Sequence, residues 1–112
     1  MEISKRQSGE ATVVEVKGDI TLYNSPQVRK MLLDLLREER VPHVVMNMTE
    51  VPYIDSAGVA SLVEGLKASR EFSSRFALYG LSPSAREVLQ LTKLIRVFEV
   101  YETEEEAVGP RK

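Results

Sequence analysis

The chain has 112 residues, 43% hydrophobic and 29% charged, which suits one globular domain with its own core and is too apolar for a disordered chain. A formal net charge of -2 gives no general attraction for nucleic acid, and the absence of cysteine excludes disulfide frameworks, thiol catalysis and cysteine-based zinc sites. The opening MEISKRQSGE lacks a signal-peptide core and no apolar run is long enough to cross a bilayer, so a cytoplasmic, unprocessed chain without direct membrane insertion is expected.

Residues Ile3 to Gln7 are weakly strand-like, and Ser8-Gly9 supplies a turn before ATVVEVKG, whose β-branched residues predict a strand ending at Gly18. NSPQVRKMLLDLLREE then predicts an amphipathic helix. Ser25 is placed as its N-cap and Pro26 at its first position, and Val28, Met31, Leu32, Leu35 and Leu36 fall at i, i+3, i+4, i+7 and i+8. HVVMNM, His43 to Met48, is apolar on both faces, as in a central strand covered on two sides, and Val51-Pro52-Tyr53 leaves it in a non-helical exit.

In YIDSAGVASLVEGL the pattern changes at Asp55-Ser56 from strand-like to helical. Val59, Leu62, Val63 and Leu66 form an inward stripe, and the helix is expected to end near Arg70 to Ser73. RFALYG is a further strand. SPSAREVLQL repeats the Ser-Pro start with Ser82 and Pro83 and carries Val88 and Leu89 inward; VFEVY is the last strand. TEEEAV sets Thr103 three residues before Glu106, a capping-box spacing that opens a short acidic helix. The expectation is a single α/β domain over residues 1–112, its core at about 11–108 and a frayed tail at 109–112. A mixed, mostly parallel sheet of four to five strands with right-handed crossovers would carry about four helices.

Little in this pattern supports catalysis. The only histidine, His43, stands at the start of an interior strand, away from the strand ends where a nucleophile would sit. Gly18, Gly58, Gly65 and Gly80 are scattered and none leads into a Walker-type loop. Asp19 and Asp55 lack the patterned ligand set of a hard-cation site, so no catalytic, cofactor-binding or metal-ligating residue is assigned.

Ser56 is distinguished by its place, at a helix N-terminus on the C-terminal edge of the sheet, where open α/β folds put their sites. Free amides and the helix dipole there tolerate an anion, and a phosphate on Ser56 would add about -1.5 to -2 charges beside Asp55, with Asp19 across from it. Gly58 would let a partner approach the backbone. The competing reading is that Asp55 or Ser56 accepts a backbone N–H as a cap worth about 1 kcal/mol, with Asp19 a turn residue.

Together VKGDITLYNSPQVRKML, VVMNMTEVPYIDSAGVASL and FALYGLSPSAREVLQLTKLIRVFEVYETEEEAV resemble the STAS domain, in particular the bacterial anti-sigma-factor antagonists, from about Val13 to Val108. The resemblance implies a non-enzymatic switch without a cofactor. An anti-sigma factor serine kinase would be held by the unmodified protein and released once it has phosphorylated Ser56, and a PP2C-type phosphatase would reset the switch. Asp55 and Asp19 match acidic positions of the family and, with Ala57 and Gly58, would border the phosphorylation site. Ala57 and Ala60 depart from the family's Asp-Ser-Ser-Gly-Leu-Gly pattern. GVASLVEGL is also similar to STAS subunits of ABC-type lipid transporters, which leaves a regulatory or assembly subunit as an alternative. A small nucleotide-binding domain using Asp19 and Asp55 is a remoter one. A monomer or weak dimer is expected.

Overall fold

The computed structural model describes residues 1–110. Among these residues the chain forms β1 (Glu2–Ser8), β2 (Ala11–Lys17), α1 (Ser25–Leu33), β3 (His43–Glu50), α2 (Ser56–Glu71), β4 (Arg75–Tyr79), α3 (Pro83–Leu91), β5 (Glu99–Tyr101) and α4 (Glu104–Val108). The strands make one sheet in chain order; β1 runs antiparallel to β2, and β2 to β5 are parallel.

Alternation along the strands divides the interior in two. Val14 and Val16 of β2, Val44, Met46 and Met48 of β3, and Phe76 and Leu78 of β4 face the larger core, which Val28 and Leu32 of α1, Leu62 of α2 and Leu89 of α3 complete. The intervening residues Ala11, Val13, Val45, Ala77 and Tyr79 face the other way and are covered by Ala107 of α4. A central strand buried on both faces has little polar surface to show, which is why β3 is apolar at Val44, Val45, Met46 and Met48, with half-buried Asn47 breaking the run and donating to Glu15.

The first helix differs from expectation at both ends. Its N-cap residue is Asn24, and Ser25 is the buried first residue of the helix. Asn24 does not cap the helix with its side chain: its Oδ1 accepts from the Thr21 N–H at 2.8 Å and its Nδ2 donates to the Asp19 carbonyl at 2.8 Å, closing the loop before the helix. At the far end α1 widens into a π-helical turn, Asp34–Glu38, where the Glu39 N–H reaches back to the Asp34 carbonyl at 2.9 Å. Leu35 and Leu36 are both buried within this wider turn. Between α3 and β5, Lys93 adopts φ +63° and a 3-10 turn, Leu94–Arg96, sets Leu94 and Ile95 against the core. That turn occupies the approach to the last strand, so β5 begins at Glu99 instead of Val97.

The predicted capping box at Thr103 and Glu106 is present. Glu104, beside it, anchors α4 to the sheet: it pairs with Arg6 of β1 and accepts the Tyr79 hydroxyl at 3.0 Å. Arg6 holds the Glu104 carboxyl below the usual carboxylate range, while burial, reinforced by the hydrogen bond to Glu104, pushes the Tyr79 phenol up to about 12. The Gly109 carbonyl accepts from Arg75, so the end is tied down as far as Gly109; of the tail expected to fray, Arg111 and Lys112 lie outside the described residues.

Leu32→Ala and Leu62→Ala are each expected to cost about 2–5 kcal/mol in chemical denaturation, because both side chains are fully buried in the larger core. Spectrophotometric titration should find Tyr79 ionising near pH 12, and Glu104→Gln should lower that value. The signs differ: Tyr79 contributes stability below the ordinary phenol value that is lost as pH rises through about 12. Glu104 contributes stability above the ordinary carboxylate value that is lost as pH falls through its depressed one.

Candidate functional site

The site forms where β2 and β3 leave the sheet side by side. Gly18, at φ +105°, turns the chain after β2 and donates to the Glu50 carbonyl at 2.8 Å. Ile20 then donates to the Tyr53 carbonyl at 3.0 Å and accepts from the Asp55 N–H at 3.1 Å, forming an isolated parallel bridge with Ile54. The loop from 18 to 24 is thereby laid against the start of α2.

Gly58 is buried in this junction. A Cβ there would lie 2.7 Å from the Ile20 carbonyl oxygen and 2.5 Å from Ile54 Cγ1. Its missing side chain therefore lets the helix seat on its own chain, and the expectation that it leaves backbone open to a partner is corrected. Gly65 does the same two turns on, where a Cβ would lie 2.9 Å from Leu32 Cδ1 of α1.

Asp55 and Ser56 have separate tasks. Asp55 is the N-cap of α2: Oδ1 accepts from the Gly58 N–H at 2.9 Å and Oδ2 accepts from the Leu22 N–H at 2.9 Å. The Gly58 amide, then that of Leu22, holds the Asp55 carboxyl below its ordinary value. With both oxygens engaged by amides, Asp55 is a structural acceptor. Ser56 is the first residue of the helix, exposed, and among the described residues its hydroxyl has no hydrogen-bond partner. The competing roles left open by the pattern are thus divided, with Asp55 as cap and Ser56 free.

Asp19 is exposed on the facing loop, one residue from the Ile20–Ile54 bridge, and so borders the same edge. Ala57 and Ala60 line a groove of about 300 Å³ between the first turns of α1 and α2, with Pro26, Arg29 and Glu64 on its walls. His43 is buried at the opposite end of β3, away from Ser56. Among the described residues no group of three or more His, Asp or Glu side chains is placed to hold a metal ion, and no helix is long and apolar enough to cross a membrane.

Sequence patterning missed one feature of this edge. Leu22 is 66% exposed, Tyr23 93% and Tyr53 46%, an unusual display of large apolar side chains on the two segments that flank Asp55 and Ser56. Leu22-Tyr23 lies outside any periodic stripe, and that was its only signal: two large apolar residues between polar Thr21 and Asn24.

The STAS domain model matches residues 2–107. The chain belongs to the STAS domain family. An anti-sigma-B factor antagonist of Listeria monocytogenes is 29% identical over 109 residues, covering 97% of this chain and 94% of the relative. Among solved structures, an anti-sigma factor antagonist from Mycobacterium paratuberculosis superposes with a TM-score of 0.84 at 20% identity, covering 96% of this chain and 90% of that one. The Bacillus cell fate determinant SpoIIAA in its phosphorylated form superposes with a TM-score of 0.74 at 22% identity, covering 96% of each chain. At these identities the solved structures establish the shared fold.

Gly58→Ala is expected to destabilise the protein by about 1–3 kcal/mol, since the added methyl group meets a backbone carbonyl that cannot give way without moving the loop. Thermal unfolding of the variant checks this; an unchanged Tm would mean that the junction is looser than its geometry.

Proposed function

We propose that this STAS domain is an anti-sigma-factor antagonist, a non-enzymatic switch that acts in the cytoplasm. With Ser56 unmodified it holds an anti-sigma factor serine kinase, and the sigma factor is free. The kinase transfers the γ-phosphoryl group of ATP to Ser56 Oγ, the complex dissociates, and a PP2C-type phosphatase hydrolyses the phosphoserine to restore the first state. The observation that carries this reading is the free, exposed Ser56 hydroxyl at the head of α2, on the edge whose flanking segments display Leu22, Tyr23 and Tyr53. Such a display of apolar surface suits a protein partner.

The electrostatics support release. A phosphate at Ser56 would place about -1.5 to -2 charges beside Asp55, on the edge that Asp19 and the apolar display also border. A partner surface that accommodates the neutral site would then have to desolvate a cluster of like charges. The names of the Listeria and Staphylococcus relatives, all anti-sigma-B factor antagonists, support this reading over a transporter subunit.

The test uses the anti-sigma kinase from the same cell. Ser56→Asp should weaken binding at least about tenfold, equivalent to about 1.4 kcal/mol, while Ser56→Ala should bind like the wild type. With ATP, the wild type should gain one phosphate by intact-mass measurement and Ser56→Ala none. Equal affinities for Ser56→Asp and Ser56→Ala, or phosphate gained at another residue, would overturn the proposal.

A further inference from the structure

Asp55 lies next to Ser56, and the simplest role for an acidic residue there is direct contact with the partner. Its geometry argues otherwise. One oxygen is engaged by the Gly58 amide within its own helix turn, and the other by the Leu22 amide, thirty-three residues earlier in the chain. Leu22 and Tyr23 are the inner residues of a turn closed by the Asn24 and Ser25 N–H groups on the Thr21 carbonyl, and among the described residues the Leu22 N–H makes no hydrogen bond other than the one to Asp55. Leu22 and Tyr23 are also the two most exposed large apolar residues at this edge. Exposure of this kind is unfavourable in the free protein; the turn fixes the bend of the loop, and the Asp55 bond ties that bend, with its exposed side chains, to α2.

We propose that Asp55 is the positioning residue of the docking surface: its carboxylate ties the tip of the β2–α1 loop, which the backbone already joins to α2 at Ile20, to the first turn of α2 and so sets Leu22 and Tyr23 on the edge that carries Ser56. The occupant is the anti-sigma partner, and the inference rests on the function proposed above. The arrangement joins the modified residue to the apolar contact surface through one side chain. It also gives Asp55 a requirement that asparagine cannot meet. Asparagine still offers one oxygen to the Gly58 amide and remains a good N-cap, but its second terminal group is a donor and cannot accept from Leu22.

Amide hydrogen exchange followed by NMR tests the fastening without any partner. In Asp55→Asn the Leu22 amide should exchange at least about tenfold faster, with Gly58 still protected and the helix intact. Asp55→Ser, which keeps a single capping oxygen, should behave alike and guards against a rotated Asn side chain. An unchanged Leu22 amide in both variants would overturn the proposal.

A double-mutant cycle with the anti-sigma kinase then separates positioning from contact. If Asp55 acts through the loop, Asp55→Asn should weaken binding in the wild-type background and have little further effect once Leu22→Ala and Tyr23→Ala are present. Additive losses would mean that Asp55 touches the partner itself, and the proposal fails. Failure of the wild type to bind the kinase at all would strike the docking function, with the Leu22 exchange result alone then deciding whether Asp55 holds the loop.

Discussion

The first turn of α2 rests directly on the backbone of the segment that follows β2, and the candidate site depends on that contact. A side chain at position 58 would collide with the Ile20 carbonyl and with Ile54, so a glycine is needed for the helix to approach so closely. The approach in turn brings the Asp55 carboxylate within reach of the Leu22 amide and sets Ser56 at the exposed corner. A seat formed by backbone and two buried isoleucines has little freedom to deform. It is a firm support for the exposed edge that carries Ser56.

Within that site the polar groups are economically shared. A helix start has several amides without intrahelical partners, and a serine there often spends its hydroxyl on one of them. Here the aspartate takes that task, and the serine oxygen stays available. The same helix end favours negative charge through its dipole, so a phosphate on Ser56 need not disturb the fold locally. Its effect would fall on what approaches from outside, at an edge that also displays Leu22, Tyr23 and Tyr53.

The rest of the molecule is scaffold, and its two cores are unequal. The larger lies under α1, α2 and α3; the smaller is closed by α4, a helix of five residues that depends on anchoring more than on length. Glu104 supplies the anchor by joining β1, β4 and α4 through Arg6 and Tyr79. Because this anchor is on the opposite face of the sheet from α2, changes of charge at Ser56 leave it alone.

The sequence by itself determined the order of elements, the parallel sheet and the residue at the head of α2, since these depend on local periodicity, turn residues and capping patterns that act over a few positions. Val28, Leu32, Leu62 and Leu89 could be assigned to the interior because helical spacing decides which face is apolar. Only the tertiary structure decided that Asn24 precedes α1 while bracing its own loop, that α1 ends in a π turn, that Gly58 serves internal packing, and that Asp55 reaches Leu22. The Asn24 brace is a local side-chain bond that apolar spacing does not encode, while the others are contacts between distant segments or compromises of packing, and hydrophobic periodicity carries no information about which amide a carboxylate or carboxamide will meet.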